Sequence, residues 1–257
     1  MSLIKTVVRE TVSRFGYTIL PSNEVRRNRE FPADFDAATV DLCRAVGPFT
    51  MTSPERISAL RQGVLHILKH SVPGDVVECG VWKGGSMMGV ARTLLECGDA
   101  NRNLHLFDTF EGMSSPTEAD VNYRGETAPD LLAQSQDSGG WIRACGALEE
   151  VKRNMSATGY PPHRIAYVKG KVEETIPQHA PDRIALLRLD TDWYESTRHE
   201  LEHLYPRLSQ NGILIIDDYG HWTGARKAVD EYLEEQGTPL LLCRIDYTGR
   251  IAVKPQA

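Results

Sequence analysis

The sequence predicts an α/β fold: one mostly parallel seven-stranded sheet with an antiparallel C-terminal hairpin and a helical arm at the N-terminus. Three observations predict it. Residues 184–189 and 213–216 are continuous apolar runs of strand length, as a parallel sheet covered on both faces requires. Between them Leu201, Leu204, Tyr205 and Leu208 recur at i, i+3, i+4 and i+7, so the unit reads strand, helix, strand. Upstream, Val76 and Val77 run through a glycine-rich turn into a helical segment, as in a doubly wound sheet.

Taken in order, residues 3–15 place Ile4, Val8, Val12 and Phe15 on one helical face. With Glu10 among its charges and no aromatic-rich face, this arm is expected to pack on the body or on a second subunit rather than on a membrane, which makes a homodimer or higher homo-oligomer the expectation. Residues 21–52 are polar, proline-containing and read as irregular. Ser53 is an N-cap with Pro54 at the first helical position, and Ile57, Leu60, Val64, Ile67 and Leu68 give the next helix its apolar stripe. The boundary is therefore placed between an N-terminal part, 1–52, and a main domain, 53–257.

The first strand ends in Glu78-Cys79-Gly80-Val81-Trp82-Lys83-Gly84-Gly85-Ser86, followed by a helix over 87–95. The glycines fall as G-x-x-x-G-G and not as the G-x-G-x-x-G of a dinucleotide site. That spacing suits a ligand bearing a carboxylate and an ammonium better than a pyrophosphate. The next strand, 104–107, ends in Asp108-Thr109; an acid there can accept from both hydroxyls of a ribose, the alternative being a solvated turn acid. Residues 113–145 are polar and rich in turn formers, a lid-like insertion or a plain surface excursion. A helix over 148–155 and a strand over 165–168 follow, then Gly170 and a short helix that sets Val172 and Glu173 at the remaining edge of the crevice. A helix over 225–233 precedes strands at 240–245 and 251–254, which flank Asp246 to Arg250 as an antiparallel hairpin.

The two central strands each end in paired acids, Asp190 and Asp192, then Asp217 and Asp218. If the strands are neighbours, three or four carboxylates converge where such sheets bind ligands. Unit charges ~4 Å apart at an effective dielectric of ~20 repel by roughly 4 kcal/mol per pair. Unless the acids stay protonated, a cation must sit among them. All-oxygen ligation favours Mg²⁺, Mn²⁺ or Ca²⁺ over Zn²⁺; the alternative is that these acids are solvated loop residues or helix caps.

The bulk numbers exclude several classes. The 257 residues, 41% hydrophobic, suffice for one large α/β core. A net charge of −6 with no basic block argues against a nucleic-acid partner. There is no apolar run of 18 residues and no signal-peptide core, so a soluble cytoplasmic protein is expected. Cys43, Cys79, Cys97, Cys145 and Cys243 are scattered without CxxC spacing and read as free thiols. His199-Glu200-Leu201-Glu202-His203 matches the H-E-x-x-H of zinc peptidases. With the buried stripe set by Leu201, Leu204 and Leu208, both histidines are expected to face solvent, which speaks against that site.

In this order, E-C-G-V-W-K-G-G-S, L-F-D-T-F-E-G, L-R-L-D-T-D-W-Y and G-I-L-I-I-D-D-Y resemble the macrocin O-methyltransferase family, which methylates sugar hydroxyls of antibiotics. The resemblance runs from about residue 53 to the C-terminus. The part from Lys169 on is also similar in layout to catechol O-methyltransferase. The family implies a Rossmann-like methyltransferase sheet and S-adenosylmethionine as donor, bound by Glu78, Gly80, Gly84, Ser86 and Asp108, with Thr109 beside it and Val172 and Glu173 by the adenine. It implies Mg²⁺ on Asp190, Asp217 and Asp218 and Asp192 as general base, with His221 the alternative base. It also implies that the N-terminal region and the insertion shape the acceptor pocket, for a sugar or glycoside. A catechol or other vicinal-diol acceptor is the alternative within the class; a non-catalytic donor binder is disfavoured, because metal acids and base are all present.

Overall fold

The computed structural model describes residues 31–134, 145–237 and 239–256. The chain divides into two compact units, Met1–Phe35 and Asp36–Ala257. In the described part of the first, Phe31 and Phe35 stack with centroids 6.3 Å apart. The expected arm helix at 3–15 lies outside the described residues.

The second unit begins with a helix that the sequence reading treated as irregular. α1 (Ala37–Val46) is capped by Asp36, whose carboxylate accepts the Thr39 N–H at 2.7 Å, and buries Thr39, Leu42, Cys43 and Val46. α2 (Pro54–Lys69) starts as expected: Ser53 Oγ accepts the Arg56 N–H at 3.2 Å, and Ile57, Leu60, Val64 and Ile67 are buried.

Seven strands form one sheet: β1 (Asp75–Cys79), β2 (Leu104–Asp108), β3 (Ile165–Lys169), β4 (Ile184–Leu189), β5 (Leu208–Ile216), β6 (Cys243–Arg244) and β7 (Arg250–Val253). Their order is β3-β2-β1-β4-β5-β7-β6. β1 to β5 pair in parallel, while β7 runs antiparallel to both β5 and β6. The order reverses between β1 and β4, the point at which such sheets open a crevice. The register fixes what meets there. Cys79 pairs with both Phe107 and Leu189, and Leu189 pairs with Ile216. The next residues, Gly80, Asp190 and Asp217, therefore leave the sheet in one row, with Asp108, the last residue of β2, beside them.

Two local expectations are corrected. The helix between β4 and β5, α7 (Tyr194–Leu204), ends before Tyr205; a 3₁₀ turn, Tyr205–Arg207, follows, and Leu208 opens β5. Pro206 in that turn has no N–H to continue the helix. The buried stripe is accordingly Thr197, Glu200, Leu201 and Leu204. The outermost strand β6 spans two residues rather than the six expected at 240–245.

Part of the 113–145 insertion is fastened to the body. It carries α4 (Ala128–Gln134) and bridges of Val121 to Thr127 and Asn122 to Trp222. Buried Asp120 accepts the Tyr194 N–H at 2.8 Å, tying the insertion to the start of α7. No helix among the described residues is long and apolar enough to cross a membrane. All five cysteines are free thiols.

Candidate active site

The glycine turn sits against the acid row. Gly80 has φ +82°, and a Cβ there would lie 1.9 Å from the Asp190 carbonyl oxygen. Only glycine allows β1 and β4 to part that closely. Gly84, at φ +87°, caps α3 (Gly85–Glu96), whose first turn contains buried Ser86. Asp108 closes the same turn from β2: its Oδ2 accepts the N–H groups of Val81 at 2.6 Å and Trp82 at 3.1 Å, and its Oδ1 that of Phe110 at 2.7 Å. The carboxylate thus shapes the turn as well as facing the crevice beside Thr109.

The acids converge, and the structure supplies cations the sequence reading did not assign. Arg188, buried within β4, donates from Nη1 to Glu78 at 2.6 Å and Asp190 at 2.7 Å, and from Nη2 to Asp217 at 2.5 Å. Arg56, from the first turn of α2, donates to the other oxygen of Asp217 and, through Nε, to Asp246 at 3.0 Å. Thr52 Oγ1 adds a hydrogen bond to Asp217 at 3.3 Å. Asp192 turns through a left-handed backbone conformation, φ +67°. Its N–H donates to Asp218 at 3.2 Å, and its Oδ1 accepts the Trp222 Nε1–H at 2.6 Å.

Two guanidiniums do not balance this cluster. Glu78, Asp190, Asp192, Asp217 and Asp218 face Arg56 and Arg188, an excess of three negative charges when all ionise. Burial pushes Asp190 and Asp218 well above the usual carboxylate range, against the pull of Arg188. Burial, then the Asp190 charge, raises Asp192 to about 7; burial, opposed by Arg188, raises Glu78 to about 7. Asp190, Asp217 and Asp218 each offer an oxygen, and these atoms lie within 4.8 Å of one another. They are the one group among the described residues arranged to hold a metal ion. A hard divalent cation fits this donor set and its surplus charge.

Two cavities meet at Asp190 and Met113. The larger, about 830 Å³, is lined by Trp82 and Ser86, by Asp190, Asp192, Asp217 and Asp218, and by His221 and Trp222. The smaller, about 420 Å³, is lined by Gly80, Asp108, Thr109, Val172, Glu173 and Thr191. Of the residues assigned to the donor, Ser86 thus lines the acid-rich cavity and not the smaller one. Glu78 and Gly84 line neither; Glu78 Oε1 is held by Arg188 and its buried Oε2 has no hydrogen-bond partner. His221 is half-buried, with Nδ1 3.3 Å from the Tyr247 hydroxyl, and burial, then Arg56 and Arg124, lowers its pKa.

The H-E-x-x-H histidines do not face open solvent as expected. Both are half-buried, with ring centroids 4.4 Å apart, and His199 Nε2 donates to the Ile176 carbonyl at 3.0 Å. The residue turned inward is Glu200, fully buried, whose Oε1 accepts the Thr191 hydroxyl at 3.0 Å. The sequence reading missed Arg56, Arg188, Trp222 and Glu200. Arg188 had a signal, a cation inside an otherwise apolar strand.

Comparison with known proteins gives the family. Residues 8–253 match the family described as Macrocin-O-methyltransferase (TylF). An 8-demethyl-8-(2,3-dimethoxy-α-L-rhamnosyl)-tetracenomycin-C 4′-O-methyltransferase of Streptomyces olivaceus is 36% identical over 200 residues, 78% of this chain and 73% of its own. Mycinamicin III 3″-O-methyltransferase of Micromonospora griseorubida is 34% identical over 201 residues, 78% and 76% of the two chains. Among solved structures, the O-methyltransferase NovP superposes with a TM-score of 0.69 at 32% identity, covering 81% of this chain and 83% of that one. The calicheamicin methyltransferase CalS11, at 22% identity and a TM-score of 0.58 over 98% of this chain and 93% of that one, shares the fold.

Proposed function

The chain belongs to the macrocin O-methyltransferase family and is an S-adenosylmethionine-dependent O-methyltransferase, and from that premise we propose that it methylates a sugar hydroxyl of a glycosylated natural product with the help of Mg²⁺. The observation that carries this reading is the convergence of Asp190, Asp192, Asp217 and Asp218 beside the glycine turn, in a cavity that shares Asp190 and Met113 with a second one. S-adenosylmethionine supplies a methyl group on a sulfonium, open to in-line attack by an oxygen nucleophile. Asp108 and Thr109 are assigned to its ribose, Val172 and Glu173 to the adenine, and Gly80, Gly84 and Ser86 to the approach of its amino-acid end. Glu78, with its partnerless Oε2, would complement an ammonium there.

Asp190, Asp217 and Asp218 would hold Mg²⁺, which would orient vicinal hydroxyls and make one of them more acidic. Asp192 takes the proton of the attacking hydroxyl. Burial makes this carboxyl more basic than a solvated one, as a general base needs, and the Trp222 N–H fixes its direction. Trp193 and Trp222, both buried, pack edge-on at 5.0 Å beside this carboxylate. His221, whose basicity is lowered, is assigned to the wall and not to proton transfer.

Asp192→Asn tests the assignment. Turnover should fall roughly 10²–10⁴-fold while S-adenosylmethionine affinity holds, the range for a lost general base. Activity near wild type would remove Asp192 from the role. Full turnover in excess chelator would remove the metal independently.

A further inference from the structure

The H-E-x-x-H helix keeps a group that the proposed chemistry leaves unused. Glu200 stands in the buried stripe of α7, between Thr197 and Leu204, at 0% exposure. A leucine would continue that stripe, whereas a carboxyl taken out of water is costly unless it is hydrogen-bonded. Its Oε1 accepts the Thr191 hydroxyl at 3.0 Å, while its Oε2 is buried with no hydrogen-bond partner among the described residues. Glu200 lies well inside the helix, so capping does not account for it. The hydrogen bond it makes goes to the turn that leaves β4.

That turn carries the acids. Asp190 precedes Thr191 and Asp192 follows it. Asp192 keeps a left-handed backbone, φ +67°, a conformation that costs a non-glycine residue energy and persists where its surroundings enforce it. The Asp190 N–H donates to the Cys79 carbonyl at 2.9 Å, the Asp192 N–H to Asp218 at 3.2 Å and the Trp193 N–H to the Thr191 carbonyl at 2.8 Å. To these backbone holds the Thr191 hydroxyl adds an anchor into helix α7. Thr191 lines the smaller cavity, but Glu200 lines neither, so its carboxyl acts from behind the wall.

We propose that Glu200 is a positioning residue of the active site: through the Thr191 hydroxyl it holds the Asp190–Thr191–Asp192 turn in the conformation that aims the Asp192 carboxylate at Trp222 and the larger cavity. The role needs a hydrogen-bonding group at position 200 and not a charge, so glutamine serves it and leucine does not. Its consequence for turnover rests on Asp192 as base, which the Asp192→Asn assay judges separately. The direction of the carboxylate is readable without any acceptor or metal.

The reporter is the Trp222 Nε1–H, which donates to Asp192 Oδ1 at 2.6 Å. The control is the indole N–H of Trp82, on the glycine turn. Two-dimensional ¹H–¹⁵N NMR of the full chain follows both signals, assigned by their loss in Trp222→Phe and Trp82→Phe. Glu200→Leu and Thr191→Val should each move the Trp222 signal upfield and speed its exchange with solvent about tenfold or more, as weakening a hydrogen bond to a charged group does. The Glu200→Leu/Thr191→Val double variant should go no further than either single one, since both cut the same link. Glu200→Gln should leave the Trp222 signal at its wild-type position, and Trp82 should stay in place throughout. Should Glu200→Leu not fold, Thr191→Val and Glu200→Gln decide the matter. The positioning role is overturned by a Trp222 signal that stays put in Thr191→Val, by a glutamine variant that loses the bond, or by effects that add in the double variant. It is overturned equally if Trp82 shifts together with Trp222, which would mark a general loosening of the core.

Discussion

Replacing Arg188 with methionine removes the centre of the acid cluster while keeping an unbranched side chain of similar length. Its side chain is 4% exposed, and its guanidinium spans Glu78, Asp190 and Asp217 at 2.5–2.7 Å. Breaking a buried ion pair by deleting one partner costs about 3–5 kcal/mol, because the remaining charge stays buried without compensation. Here three carboxylates lose a partner, and the excess of three negative charges becomes four. For a domain of this size each kcal/mol moves Tm by about 2–4 °C, so the loss should be about 6–20 °C. The assay is thermal unfolding with and without Mg²⁺, for wild type, Arg188→Met, Glu78→Gln and the double variant. Glu78→Gln should rescue part of the loss, a coupling of about 0.5–3 kcal/mol. Mg²⁺ should raise Tm more in Arg188→Met than in wild type, since a cation at Asp190, Asp217 and Asp218 offsets the added surplus. A loss below about 1 kcal/mol, or strictly additive single variants, would refute the view that Arg188 neutralises these acids.

Three further changes probe the surroundings. Gly80→Ala should cost at least about 2 kcal/mol and abolish donor binding, because φ +82° strains alanine and its Cβ would meet the Asp190 carbonyl; near-wild-type Tm and donor affinity would count against the close packing. Trp222→Phe should lower turnover about 10- to 100-fold with donor affinity unchanged, the value of a hydrogen bond to a charged group, and unaltered turnover would show that Asp192 needs no such support. Glu200→Gln should change the pH dependence of stability. Burial holds the Glu200 pKa well above the usual range, so between about pH 4.3 and its folded value the unfolded state binds fewer protons than the folded one. Wild-type stability should therefore fall by up to about 1.4 kcal/mol per pH unit relative to the glutamine variant as pH rises through that window. A difference that stays flat in urea titrations from pH 5 to 8 would refute the buried, protonated state.

The sheet, the glycine turn and the acid row were legible because each depends on local period and on position at a strand end. α1 was not, since its stripe of Thr39, Leu42, Cys43 and Val46 is short and only weakly apolar. A subtler error shows how one misplaced residue spreads. Counting Leu208 as helical shifted the inferred buried face of α7 by part of a turn, which turned His199 and His203 to solvent and hid Glu200. Pro206 was the available warning, since the helical N–H it lacks ends the period before Leu208. Arg188 carries the broader lesson. Acids beyond the end of a strand can always be solvated, so Asp190 and Asp217 by themselves leave the bland reading open. A guanidinium inside a strand buried at every position has no such escape. It requires carboxylates within reach, and strand pairing supplies one at once, because Glu78 stands directly opposite Arg188 in the β1–β4 register. The buried cation thus predicts the convergence of the acids more strongly than the acids predict it themselves.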